Sequence, residues 1–234
     1  MMRIGSMVLF KNGYCYQSYG WNLLRPLGKL QNIVSHLDEF LIDDITIIRP
    51  IRDNENDSFL LSDINEIKKL KSSTPISFGG GIRNIDQLHL LSGLPVERFV
   101  FSSALFKKEN SLLRAATDLF GKQAIVGLIP FKLEPQLSVF NSQINKFVSV
   151  DKLNDIELCD EIILYDCESE GSPNGFQKDV INKLKINPKS CVFSGGVSDL
   201  VNSFQNTAEV PKALCIENSI LHREFSKSNY YEKL

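Results

Sequence analysis

Ser77-Phe78-Gly79-Gly80-Gly81-Ile82 is answered late in the chain by Phe193-Ser194-Gly195-Gly196-Val197. Placing Gly80 on Gly196 sets an offset of 116 residues, and Ser103-Ala104-Leu105-Phe106 then falls on Ser219-Ile220-Leu221-His222. At an offset of 117, Asp43-Asp44-Ile45-Thr46-Ile47-Ile48 falls on Asp160-Glu161-Ile162-Ile163-Leu164-Tyr165. Ile64-Asn65-Glu66-Ile67-Lys68 matches Ile181-Asn182-Lys183-Leu184-Lys185 at the same distance. Two such periods nearly exhaust the 234 residues. Self-similarity at a fixed period signals a repeated structural unit, so one domain is expected, made of halves 1–118 and 119–234.

Short apolar runs punctuate each half. Strands are expected at Arg3–Phe10, Asp44–Arg49, Pro75–Phe78, Arg98–Phe101, Gln123–Ile129, Glu161–Tyr165, Cys191–Ser194 and Ala213–Ile216. Runs this continuous suit parallel strands covered on both faces. Helical patterns lie between them, at Leu60–Leu70, Asp86–Leu91, Asn110–Phe120, Asp179–Leu184 and Leu200–Gln205. Ser62 is the expected cap of the first of these, with Lys68, Lys69 and Lys71 near its C-terminal end. Eight strand–helix alternations make an α/β chain of the (β/α)₈ TIM-barrel type, built from two fused half-barrels. An open doubly wound sheet would leave the repeat unexplained.

Composition narrows the function. With 26 Lys+Arg against 28 Asp+Glu the net charge is −2, which excludes a nucleic-acid binder driven by charge. No apolar run is long enough to span a membrane, and Met1–Phe10 has no leader pattern. Five cysteines (Cys15, Cys159, Cys167, Cys191, Cys215) form no C-x-x-C pair; they read as reduced thiols of a cytoplasmic protein, and neither a metal nor an organic cofactor is implied.

Barrel chemistry sits at the C-terminal ends of the strands. Glycine turns there let backbone N–H groups approach an anion. Two phosphate cradles are expected, one from Gly80, Gly81, Ser102 and Ser103, the other from Gly195, Gly196, Asn218 and Ser219, bordered by Gly171. The competing reading is that these glycines only form tight turns.

Pro75–Phe106, Asp160–Gly175 and Ser194–Glu224 resemble the histidine-biosynthesis barrels, the sugar-phosphate isomerase and the cyclase subunit of imidazole glycerol phosphate synthase. Asn218-Ser219-Ile220-Leu221-His222 leans toward the cyclase subunit, and Arg25-Pro26-Leu27-Gly28-Lys29-Leu30-Gln31-Asn32 is similar to cyclase-like paralogues of surface-polysaccharide gene sets. The resemblance implies a phosphorylated ligand and a glutaminase partner docked beneath the barrel. It also implies a general acid–base pair of aspartates at the ends of the first and fifth strands. Here Leu9 and Ile129 align with those positions, and a lysine expected in the first loop is replaced by Gln17. Neither Leu nor Ile transfers a proton, so ordinary cyclase activity is expected to be weak or absent.

The same resemblance implies a four-charge ammonia gate, mapping to Arg3, Asp44, Arg98 and Glu161. Strand alternation supports the geometry independently. Each lies an even number of residues before a top-face position, so all four share one face. Solvated strand starts are the plain alternative. The best remaining top-face acids are Asp166 and Glu168, as a replacement base, or else as solvated acids or backbone caps. Cys167, lacking a neighbouring base, reads as structural. Tyr14, Tyr16, Tyr19 and Trp21 form either a lid or stacking platform or rim packing. His36 and His89 sit on predicted helices, His222 follows the last strand, and Asp53-Asn54-Glu55-Asn56-Asp57 forms an acidic loop.

Three functions follow. One is a cyclase-like barrel repurposed to deliver ammonia, for example in amidation of a nucleotide sugar. Another is an active cyclase, lyase or isomerase of histidine biosynthesis. The last is a non-catalytic barrel that binds a phosphorylated regulator.

Overall fold

A computed structural model describes residues 2–19, 21, 23–51, 60–172, 175–197 and 210–216. Eight parallel strands close on themselves: β1 (Arg3–Lys11), β4 (Asp44–Ile48), β5 (Ile76–Gly79), β6 (Arg98–Phe101), β7 (Ile125–Lys132), β10 (Glu161–Asp166), β11 (Cys191–Ser194) and β12 (Ala213–Cys215). Closure comes from β7 pairing with β10, with Glu161 beside Val126 and Asp166 beside Phe131, and from β12 pairing with β1. The expected barrel is therefore the observed one.

Alternation along each strand divides the apolar side chains into two cores. Val8, Phe10, Ile45, Ile47, Phe99 and Ile129 point outward and pack under the helices. Met7, Ile48, Val100, Val126, Leu128 and Ile163 fill the lumen. The helices are α1 (Leu30–Glu39), α2 (Leu60–Lys68), α3 (Ile85–Leu91), α4 (Ser111–Phe120) and α5 (Asp179–Leu184). Asn84 and Asn110 cap α3 and α4 by accepting from the backbone N–H groups of Gln87 and Leu113. Ser62 is not a cap, because α2 already begins at Leu60. His36 and His89 lie on α1 and α3 as expected.

Among the described residues, regular alternation fails in one unit. Between β7 and β10 the described chain forms a hairpin, β8 (Ser138–Asn141) with β9 (Lys146–Ser149), followed by short 3₁₀ turns and no α-helix. Ser138-Val139-Phe140-Asn141 alternates with period two, and Pro135 discourages a helix through this stretch. A second hairpin, β2 (Tyr14–Tyr19) with β3 (Leu23–Gly28), follows β1. Its entry is an Asn12-Gly13 turn with φ of 55° and 78°, the conformation this dipeptide favours. The two hairpins follow the first and fifth barrel strands, so both rise over the same mouth.

Leu200–Gln205, Asp53–Asp57, Asn218, Ser219 and His222 lie outside the described residues. No helix among the described residues is long and apolar enough to cross a membrane.

Candidate functional site

Two polar features occupy opposite ends of the lumen. At the N-terminal end, the first residues of β1, β4, β6 and β10 bring Arg3, Asp44, Arg98 and Glu161 together. Arg3 Nε donates to Asp44 Oδ2 at 2.9 Å and Arg3 Nη2 to Glu161 Oε2 at 2.7 Å. Arg98 Nη1 donates to Glu161 Oε2 at 3.0 Å, and Arg98 Nη2 lies 3.7 Å from Asp44 Oδ2. Each cation thus touches both anions, and the four form a closed ring. The carboxylate side chains are 5% exposed, the arginines 29% and 15%. Paired charges offset the desolvation each would suffer alone.

A fifth charge, which the sequence reading missed, adjoins the ring. Lys212 Nζ lies 3.0 Å from Glu161 Oε1 and 3.1 Å from Asp160 Oδ2. It stands just before β12, and only the pairing of β12 with β1 brings it to the ring. Burial alone would raise the Glu161 pKa. Hydrogen bonds from Arg3 and Lys212 and the Arg98 charge outweigh it and hold the carboxyl below its ordinary 4.5. Arg3 is likewise raised on balance: burial opposes its charge, and Glu161 and Asp44 more than compensate. Gly5 makes room for the ring, since a Cβ there would stand 2.1 Å from Asp44 Oδ1.

At the other end a cavity enclosing about 870 Å³, its open mouth included, lies under the hairpins. Gly80, Gly81, Ser102 and Ser103 all line it, together with Arg83, so the residues expected for the first cradle share one cavity wall. The tight-turn reading also holds, since all four glycines of the two pairs have positive φ. A Cβ on Gly80 (φ 102°) would stand 2.0 Å from the Arg49 carbonyl oxygen, and one on Gly195 (φ 82°) 2.4 Å from that of Asp166. Gly195, Gly196 and Gly171 do not line this cavity. They sit around the loop after β10, where a Cβ on Gly196 would meet Ser169 at 2.6 Å.

The acid–base expectations need correction. Leu9 lines the cavity as expected. Ile129 does not: it is 1% exposed in the outer core, and the inward positions flanking it are Leu128 and Pro130. A strand reverses facing at every residue, so the alignment at Ile129 was one position out of register. Pro130 transfers no proton either. Asp166 and Glu168 also leave the cavity. Asp166, fully buried, accepts from the backbone N–H groups of Glu168, Ser169 and Gln177, each at 3.0 Å. Glu168 accepts from those of Leu133 at 2.8 Å and Glu134 at 3.3 Å. Both carboxylates pin loops. Among the described lining residues there is no carboxylate, and the charged side chains are Arg49 and Arg83. Arg49 is itself engaged, its Nε donating to fully buried Asp63 at 2.9 Å, and Asp63 also accepts from the Asn12 and Gly13 N–H groups.

A further acid missed in the sequence, Glu170, stands behind the cavity wall. It is 5% exposed, accepts from Tyr165 Oη at 2.5 Å, and accepts from the Trp21 backbone N–H. Trp21 packs 5.3 Å from both Tyr165 and Phe140 between ring centroids, so the two hairpins meet through aromatic contact. The first-loop aromatics therefore divide, with Tyr14 44% exposed and under Lys29 while Trp21 lines the cavity. All five cysteines are free and buried, and desolvation pushes Cys15, Cys159 and Cys191 up to about 12, which keeps them unreactive. Among the described residues no three His, Cys, Asp or Glu converge as a metal site.

Residues 36–225 match the family model described as histidine biosynthesis protein. A phosphoribosyl-imidazole-carboxamide isomerase of Clostridium acetobutylicum is 30% identical over 138 residues, 55% of this chain and about half (54%) of that protein's length. Imidazole glycerol phosphate synthase subunits HisF are similar over more of the chain. The one from Natranaerobius thermophilus is 23% identical over 92% of this chain and 87% of its own length. That from Lactococcus lactis is 24% identical over 84% and 80%.

Proposed function

This chain belongs to the histidine biosynthesis protein family, and from that premise we propose that it is a cyclase-like barrel repurposed to pass ammonia from a glutaminase partner to a reaction other than imidazole ring closure. The carrying observation is the contrast within one lumen. A complete ring of paired charges stands at the base, and the described wall of the upper cavity offers no carboxylate. Ring closure needs an acid and a base in reach of the substrate, whereas passage of a small neutral molecule needs only a gate and a dry path.

In this reading the cradle of Gly80, Gly81, Ser102 and Ser103, with Arg83 beside it, holds a phosphate, and Gly195, Gly196, Gly171, Asn218 and Ser219 contribute to a second one. The ring of Arg3, Asp44, Arg98 and Glu161 is the gate, and the glutaminase docks on the face that carries it. Amidation of a nucleotide sugar by a third protein is an acceptor reaction that fits. The protein acts in the cytoplasm, without nucleic acid or membrane.

The test has two arms. Purified protein with excess ammonium salt should fail to turn over the phosphoribulosyl-formimino precursor of imidazole glycerol phosphate. Mixing it with a glutaminase subunit should raise glutamine hydrolysis, and Arg98→Ala should reduce ammonia transfer. Turnover at the rate of an ordinary cyclase would overturn the reading and make histidine biosynthesis the function. The 30% identity to an isomerase favours that second reading, and backbone capture of Asp166 and Glu168 counts against their catalytic use. Saturable phosphate-ligand binding with neither turnover nor a glutaminase complex would instead indicate a regulatory barrel.

A further inference from the structure

We propose that the upper cavity takes an anion carried on a flat apolar or aromatic body, not on a polyhydroxylated sugar, with the body against Trp21 and the anion at the Gly81–Arg83 end. This rests on the phosphate-binding reading above and specifies the ligand class. The floor consists of Met7, Leu9, Ile48, Val100, Leu128 and Pro130, inward residues of four strands and all without a hydrogen-bonding side chain. Trp21, Phe140 and Tyr165 form a continuous aromatic wall above it.

A sugar body would bring several hydroxyls against these surfaces. Each hydroxyl buried without a partner opposes binding, and the described floor and aromatic wall supply few partners. Ser102 and Ser103 stand beside the glycine turn, at the anion end. The Tyr165 hydroxyl donates its proton to Glu170. Ser18 and Ser142 belong to the two hairpin segments. A planar apolar group instead fits the chemistry of floor and wall, and an indole edge or face is a good partner for it.

Trp21 is not loosely placed. Glu170 accepts from its backbone N–H and from the Tyr165 hydroxyl, so one buried carboxylate fixes both the tryptophan backbone and its aromatic neighbour. Glu170 is thus a positioning residue for the wall, and the order of the hairpins over the mouth determines what body the site accepts.

Trp21 is the chain's single tryptophan, so intrinsic fluorescence reports directly on this wall. The intact protein should be titrated with phenyl phosphate, ribose 5-phosphate, inorganic phosphate and phenol, with calorimetry in parallel. Phenyl phosphate is expected to change Trp21 emission saturably and bind about tenfold tighter than ribose 5-phosphate, the scale for burying one ring in an apolar wall. Inorganic phosphate should compete. By calorimetry Trp21→Ser should remove the preference, Trp21→Phe should keep most of it, and both should still bind inorganic phosphate. Glu170→Gln should weaken phenyl phosphate while leaving inorganic phosphate unchanged. Ribose 5-phosphate binding as tightly as phenyl phosphate would overturn the inference and leave the phosphate reading standing. Phenol binding as tightly as phenyl phosphate, without phosphate competition, would overturn the phosphate reading and uphold the apolar body. No binding of any probe would overturn both.

Discussion

The two ends of this lumen are built on the same strands, roughly 13–20 Å apart by strand rise, and carry opposite chemistry. Arg3 and Leu9 share the inner face of β1, as Asp44 and Ile48 share that of β4 and Glu161 and Tyr165 that of β10. At the base, two cations and two anions arrive at one level and neutralise one another. At the mouth, the described carboxylates have turned away: Asp166 and Glu168 to backbone N–H groups, Asp63 to Arg49, Glu170 to Tyr165 and Trp21. Carboxylates survive in this barrel where their partners are built in, and what the described residues leave facing the cavity is an apolar wall with two arginines and a few serines.

The largest expected effect lies at the upper rim. Arg49→Met leaves fully buried Asp63 without its cation, and the loss should be about 3 kcal/mol by urea unfolding, the low end for breaking a buried pair because backbone N–H groups remain. A smaller loss would show that the rim is wetter than the base and break the comparison.

Glu161→Gln comes next. It strips the shared acceptor from Arg3, Arg98 and Lys212; the expected cost is about 2 kcal/mol, reduced from the fully buried range because the arginines are partly exposed. Pairing it with Arg98→Met should cost less than the sum of the two, since each single change strands a charge. Gly5→Ala should cost about 1–3 kcal/mol by forcing Asp44 out of the ring.

The pH dependence sharpens the same point. Glu161 is held below its ordinary 4.5 in the folded state, so its contribution to stability is complete above that value and disappears as pH falls through the folded pKa. The stability difference between the protein and Glu161→Gln, followed by urea unfolding at each pH, should shrink in that window. An unchanged difference would remove the charge argument. The smallest effect is expected at Asp166→Asn. It should cost about 1–2 kcal/mol by urea unfolding, because an amide NH2 cannot accept the Gln177 N–H that Oδ2 now accepts, and leave phosphate binding beside Gly80 and Ser103 unaltered.

Ser62 illustrates why boundaries were harder to read than elements, since its side chain suits a cap but the helix had already started. The β8–β9 hairpin was legible in the alternation of Ser138–Asn141, yet the repeat argued for a helix there and hid it. Lys212 escaped notice because a lone lysine before a strand has no meaning until the barrel closes β12 against β1.

What the sequence by itself determined was the repeat, the strand positions and the common facing of the four charges that the family resemblance singled out. That common facing depends on local periodicity, and a two-residue period places Arg3, Asp44, Arg98 and Glu161 on one face without any knowledge of their neighbours. Only the tertiary structure decided that Ile129 faces the helices and Pro130 the lumen, that Asp166 and Glu168 hold loops, and that Glu170 fixes Trp21 across 149 residues of chain. Facing depends on register within the closed sheet, and a carboxylate's role depends on which N–H groups the fold delivers to it.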